Sequence, residues 1–217
     1  MTTGWVAGAS GLVGGVLLRA LLADDGFERV VSVGRRVLPV THAKLSQVLL
    51  DLTERGDLGE LPAPEVAFSC LGTTMRKAGT QEAFRAVDLS AVLSFARSAH
   101  ARGASTFVHV SAMGADPRAR VFYNRVKGEV EEAVAGVGFK AVYALRPSIL
   151  DGPREENRPL ERGALVLLRT LAPVLGRWRP TRADAVAAAM IELARSPEPG
   201  AHVVEAEAIS RMPPLRG

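Results

Sequence analysis

Apolar positions along the chain fall into short β-type runs separated by stretches of helical spacing. Trp5 to Gly8 reads as a first strand, and Leu12 to Leu22 follows with helical periodicity. Val30 to Val33 predicts a second strand, Val48 to Leu50 a third and Val66 to Cys70 a fourth. Gln81 to His100 reads as one long helix and Thr106 to Val110 as a fifth strand. Val121 to Val134 is helical again, and Ala141 to Leu145 completes the series as a strand. Strands alternating with helices predict βαβ units, and right-handed crossovers turn these into an α/β Rossmann-type doubly wound parallel sheet. Ligands then belong at the carboxyl ends of the strands.

After Leu150 the texture changes. Gly152-Pro153 and the polar stretch Arg154 to Arg158 predict a loop, followed by a helical region interrupted by Pro159 and Pro173. Thr181-Arg182-Ala183-Asp184 predicts a helix start leading into Ala185–Ala194, with His202 to Glu205 as a last short strand. The expectation is one domain over residues 1–217, in which residues 151–217 supply a small substrate cap and the last strand and helix. Leu165, Val166, Leu168, Leu171 and Val174 suit core or cap packing better than a dimer patch, and a homodimer or a regulatory protein partner stays open.

Composition narrows the class. With 47% hydrophobic and 23% charged residues the chain is an ordinary globular one. The net charge of +4 rests on scattered arginines, with only Lys44, Lys77, Lys127 and Lys140 as lysines. No basic helix is interleaved with stacking aromatics, so a solvated surface is expected in place of a nucleic-acid face. The longest apolar runs, Leu12 to Leu22 and Ala164 to Leu175, fall short of the roughly 20 residues of a spanning helix. With no basic leader in Met1-Thr2-Thr3-Gly4, no membrane association and a cytoplasmic location are expected. Cys70 is the single cysteine, which excludes an internal disulfide and fits a reducing compartment. His42, His100, His109 and His202 are too widely spaced to pair as metal ligands, so no metal is expected.

Candidate chemistry starts at Gly8-Ala9-Ser10-Gly11-Leu12-Val13-Gly14, between the first strand and the first helix. Glycine suits a sharp turn at which a pyrophosphate approaches backbone N–H groups at a helix N-terminus. The spacing is G-x-x-G-x-x-G rather than G-x-G-x-x-G, and its position at the first βα junction gives it weight. The second strand ends in Arg35-Arg36 with no acidic residue, which favours the 2′-phosphate of NADP over the ribose hydroxyl of NAD. Asp51-Leu52 after the third strand suits either an adenine contact or a helix cap. Leu71, Gly72 and Thr73 follow Cys70 at the end of the fourth strand, where glycine permits close approach of a cofactor. Cys70 itself reads as a packing residue.

Tyr123 and Lys127 lie at i and i+4 on one helix face. An ammonium beside a phenol stabilises the phenolate, which makes tyrosine a usable general acid or base. Ser111 closes the fifth strand, where its hydroxyl can hold a carbonyl oxygen. Glu129, Glu131 and Glu132 read as a solvated face of the same helix.

The glycine turn, Ser111 and Tyr123-x-x-x-Lys127 together resemble the short-chain dehydrogenase/reductase superfamily. Cys70-Leu71-Gly72-Thr73-Thr74, Lys77-Ala78-Gly79, Phe84 to Asp88, Gly114-Ala115-Asp116 and Lys127 to Glu131 are similar to the Tat-interacting-protein oxidoreductases and their bacterial relatives. The resemblance implies that Tyr123 is the acid/base, that Lys127 supports it and binds the nicotinamide ribose, and that Ser111 orients substrate. It also implies that Arg146-Pro147-Ser148 lines the nicotinamide end. Asp88 stands where many superfamily members have an asparagine that supports a proton-relay water. The expected activity is NADP(H)-dependent oxidoreduction of a small carbonyl or alcohol substrate. An NADPH-binding sensor or scaffold with little turnover is the alternative.

Overall fold

The computed structural model describes residues 2–53, 61–151 and 180–215. The first half runs β1 (Thr2–Ala7), α1 (Leu12–Ala23), β2 (Phe27–Gly34), β3 (Leu45–Leu49) and β4 (Val66–Ser69). Two short helices, α2 (Met75–Ala78) and α3 (Gln81–Arg85), lead through a π-helical segment at Ala86–Ala91 into α4 (Val92–Ala101). The second half continues β5 (Thr106–Val110), α5 (Phe122–Ala135), β6 (Ala141–Arg146) and a two-residue β7 (Leu150–Asp151). It ends with β8 (Thr181–Arg182), α6 (Ala183–Arg195), β9 (Gly200–Glu205) and α7 (Ala206–Arg211).

Seven strands form one sheet in the order β3-β2-β1-β4-β5-β6-β9, all pairs parallel. The order reverses direction at β1, between β2 and β4, which is the crevice where doubly wound sheets bind ligands. Central strands are buried on both faces. Val6, Phe68, Val108 and Tyr143 pack with Leu17, Leu21, Val186 and Met190 of α1 and α6 on one side. Trp5, Ala67 and Phe107 pack with Phe95, Val130 and Val134 of α4 and α5 on the other. Continuous apolar strands of this kind follow from burial under helices on both faces.

Several boundaries differ from expectation for identifiable reasons. The third strand is Leu45–Leu49, not Val48–Leu50, because this edge strand starts with the polar pair Ser46-Gln47 after Leu45 and is only partly buried, so the apolar run marks its end alone. Gln81 to His100 is not one regular helix. The π-helical segment takes up an additional residue inside it, which a 3.6-residue periodicity does not report. Thr181–Arg182 pairs with Leu150–Asp151 as a strand, and the helix begins only at Ala183. The described part of the tail is central to the fold: α6 lies on α1, and β9 extends the sheet beyond β6. The expected loop at Gly152 to Arg158, the cap and the apolar set from Leu165 to Val174 lie outside the described residues. No helix among the described residues is long and apolar enough to cross a membrane.

Candidate active site

The turn after β1 is shaped by backbone contact. Gly8 has φ 81°, and a Cβ there would lie 2.6 Å from the Cys70 carbonyl. A Cβ on Gly14 would fall 2.2 Å from the Gly8 oxygen, so α1 packs onto the turn only with glycine at that position. Gly11 caps α1 without a side-chain hydrogen bond, and the first turn of the helix carries no acidic residue. Among the described residues its leading N–H groups thus have no capping side chain, and the helix end favours an anion.

Beside this turn opens a cleft of about 280 Å³. Gly8, Ser10, Gly11, Arg35, Arg36 and Asp51 line it, and Leu52, Leu71, Gly72 and Thr73 close its other side. Leu12, Val13 and Gly14 stand behind the turn in α1. Sequence reasoning missed Ser32 in β2, Lys77 in α2, and Val87 and Ala91 in the π-helical segment, all of which also line the cleft. Lys77 belongs to a motif already singled out, but nothing in its spacing showed that a one-turn helix would carry it to the cleft. Glycines that admit backbone, an uncapped helix end and a cationic rim fit the phosphates of a dinucleotide.

Asp51 caps no helix among the described residues. Its Oδ1 accepts from the Thr53 backbone N–H at 3.0 Å and from the Thr53 hydroxyl at 2.6 Å, while Oδ2 lies 3.8 Å from Arg35. The hydrogen bonds from Thr53 hold its pKa below the usual carboxylate value, with Arg35 adding a smaller pull. Cys70 touches the Met190 sulfur at 3.9 Å, and burial pushes its thiol up to about 12, as befits a packing residue.

The opposite end of the strand edge holds a buried ion-pair system. Lys127, 5% exposed, extends from α5 to Asp88, 0% exposed, at 2.7 Å. The other Asp88 oxygen accepts the Thr73 backbone N–H at 2.7 Å. Burial opposes the Lys127 charge, but Asp88, Tyr123 and Glu131 outweigh it and raise its pKa. Tyr123 is half-buried one turn earlier on the same helix, with its ring edge-on to Phe84 at 5.6 Å. Under this group the sheet presents Ser69 and His109 in register, both buried and both without a hydrogen-bond partner among the described residues. Burial, reinforced by the Lys127 charge, drives His109 down to about 3 and keeps it neutral.

Ser111 is buried at the end of β5, and its hydroxyl donates to Glu131 Oε1. Arg146 closes the same network: its Nε donates to Glu131 Oε1 at 3.0 Å, its Nη2 to Oε2 at 2.6 Å, and its Nη1 to Glu205 at 3.2 Å. Hydrogen bonding to Glu131 raises the Arg146 pKa further. Glu131 is therefore no part of a solvated face; it turns inward to join α5, β5 and β6. Glu129 also differs from that expectation, pairing with Arg85 at 2.6 Å. The Pro147 carbonyl accepts from Met113, and the Ser148 N–H donates to Thr181 Oγ1 at 3.1 Å, which ties the strand end to β8. The structure thus gathers Ser111 with Arg146, and Tyr123 with Lys127, at the carboxyl edge. Among the described residues no cluster of three metal-ligating side chains is present.

Comparison with known proteins bears on this arrangement. The model of the NAD dependent epimerase/dehydratase family matches residues 5–124. Protein fmp52, mitochondrial, of Emericella nidulans is 34% identical over 184 residues, covering 82% of this chain and 77% of its own length. Protein HTATIP2 of Rattus norvegicus is 38% identical over 162 residues, covering 72% and 66% respectively. Among solved structures, MoeE5 in complex with UDP-glucose and NAD superposes with a TM-score of 0.70 at 22% identity, over 95% of this chain and 79% of that one. WbmH of Bordetella bronchiseptica in complex with NAD+ gives 0.69 at 15% identity, over 95% and 76%.

Proposed function

Because the chain belongs to the NAD dependent epimerase/dehydratase family, we propose that it is an NADP(H)-dependent oxidoreductase acting on a small carbonyl or alcohol substrate. The observation that carries this reading is the Tyr123–Lys127 pair on one face of α5, with the ammonium buried against Asp88 below the cleft wall. The relatives with NAD in their structures support a nicotinamide dinucleotide along the strand edge. Preference for NADP is supported by Arg35 and Arg36 at the cleft rim, where the end of β2 offers no carboxylate to a ribose hydroxyl.

When bound, the nicotinamide supplies or accepts the hydride. Tyr123 hands its hydroxyl proton to the substrate oxygen, and Lys127 stabilises the phenolate left behind. Ser111 holds the same oxygen. Donating to Glu131, its oxygen accepts from an alcohol O–H; rotated away from Glu131, it donates to a carbonyl. Leu71 to Thr73 would line the cofactor, with Arg146, Pro147 and Ser148 at its nicotinamide end. The same reading has no nucleic acid or membrane as partner and a cytoplasmic site of action, which the lone, half-buried thiol suits.

One observation favours the second reading, an NADPH-binding sensor with little turnover. The Ser111 hydroxyl is already engaged by Glu131, inside a network that Arg146 completes. The deciding experiment is NADPH oxidation over a panel of aldehydes and ketones by wild type and Tyr123→Phe, with NADPH affinity measured on the same samples. The oxidoreductase reading expects turnover in wild type, a loss of at least about a hundredfold in the variant, and little change in affinity. Equal turnover in both proteins removes Tyr123 as the acid, and tight binding with no turnover in either turns the reading to the sensor.

A further inference from the structure

Asp88 is the most deeply buried carboxylate of this site, and its place follows from local geometry. The π-helical segment Ala86–Ala91 directs it inward, where one oxygen meets Lys127 and the other the Thr73 N–H. The pair sits directly beneath the cleft wall. A Cβ built on Gly72, a residue lining the cleft, would stand 3.5 Å from Asp88 Oδ1 and 3.7 Å from Lys127 Nζ. Three other polar side chains bear on the ammonium: Tyr123 and Glu131 from α5, and the neutral His109 from β5. Asp88 is therefore the one buried, fully enclosed negative charge paired with Lys127 among the described residues.

A nicotinamide dinucleotide changes its ring charge by one unit between its oxidised and reduced forms. A buried cation near that ring disfavours the oxidised form, and a buried anion favours it, because low dielectric leaves the charge poorly screened. We propose that Asp88 is a positioning residue that, acting through Lys127, cancels the ammonium charge and so balances the affinities for oxidised and reduced NADP. The inference rests on the dinucleotide-binding reading above and says what Asp88 adds to it. It also accounts for the Thr73 contact, since a carboxylate held at both oxygens keeps the compensating charge fixed under Gly72.

The test compares dissociation constants for NADP+ and NADPH, by calorimetry and by NADPH fluorescence, in wild type and three variants at one ionic strength. Asp88→Asn should weaken NADP+ relative to NADPH by about tenfold. Lys127→Gln should shift the ratio the other way, whatever it does to both affinities through the lost ribose contact. The double variant Asp88→Asn/Lys127→Gln, neutral like the wild-type pair, should return the ratio to within about twofold of wild type. A purely structural role would weaken both forms equally and leave every ratio in place, and that result overturns the inference. If Asp88→Asn fails to fold, the opposite shift in Lys127→Gln and its reversal in the double variant carry the same decision. Wild type that binds neither form overturns the dinucleotide reading and this inference together, whereas tight wild-type binding with unchanged ratios overturns this inference alone.

Discussion

The two ends of the carboxyl edge solve the same problem, holding charge, in opposite ways. At the glycine turn the contacts come from backbone and from an uncapped helix end, and the cations Arg35 and Arg36 stand in solvent at the rim. At the Lys127 end the charges are buried, opposed in pairs and tied to three elements: Lys127 to Asp88, and Arg146 to Glu131. The exposed arginines of the first tolerate salt and side-chain exchange poorly in affinity but well in fold; the second couples the fold itself to each partner. Shape is thus entrusted to glycine at one end and to ion pairs at the other.

The comparison breaks most severely at Gly14. Gly14→Ala places a methyl 2.2 Å from the Gly8 oxygen, so α1 must leave the turn. A loss of about 3 kcal/mol in urea unfolding and of measurable dinucleotide binding is expected. Glu131→Ala, at the other end, leaves Arg146 half-buried with only Glu205 and releases Ser111. It should cost about 2–3 kcal/mol by the same unfolding assay while leaving the glycine turn intact. An effect below about 0.5 kcal/mol would make that network a surface feature.

His109 sharpens the contrast through pH. Its folded pKa, about 3, lies below the ordinary histidine value, so between the two the unfolded chain binds the extra proton. Its contribution to stability is complete above about pH 6.5 and is lost as pH falls toward 3. Between pH 7 and 4.5 wild type should lose about 2 kcal/mol more than His109→Leu in paired denaturation curves. Parallel curves would show that the histidine is not held neutral. The smallest effect belongs to the exposed rim. Arg35→Ala/Arg36→Ala should weaken NADPH about tenfold at low salt, leave NADH nearly unchanged and leave the melting temperature where it was. Equal weakening of both dinucleotides would remove the 2′-phosphate assignment.

The same division governs what could be read from sequence. The strand–helix alternation and the glycine turn were legible because burial on both sheet faces leaves continuous apolar runs, and because glycine at a βα junction has few other uses. That Tyr123 and Lys127 share one face of α5 was legible from their spacing, and the place of Ser111 from the end of the fifth apolar run. Glu131 was not, since three glutamates on a polar helix stretch give no sign of which one turns toward an arginine on another strand. Lys77, Ser32 and Val87 reach the cleft through tertiary placement, and Thr181–Arg182 becomes a strand only because Leu150–Asp151 lies beside it.

The π-helical segment carries a consequence for how this chain can change. A helix that takes one additional residue in a single turn shifts the phase of everything after it by about 100°. Before the segment, Phe84 faces the aromatic rings of Phe122 and Tyr123; after it, Phe95 faces Trp5 and Phe107. Both facings hold in one continuous helical rod only because the slip falls between them. Point substitutions can tune either half separately. Deleting a single residue from 86–91 would regularise the rod and turn one half away from its partners, so the length of this stretch is under tighter constraint than the identity of most residues in it.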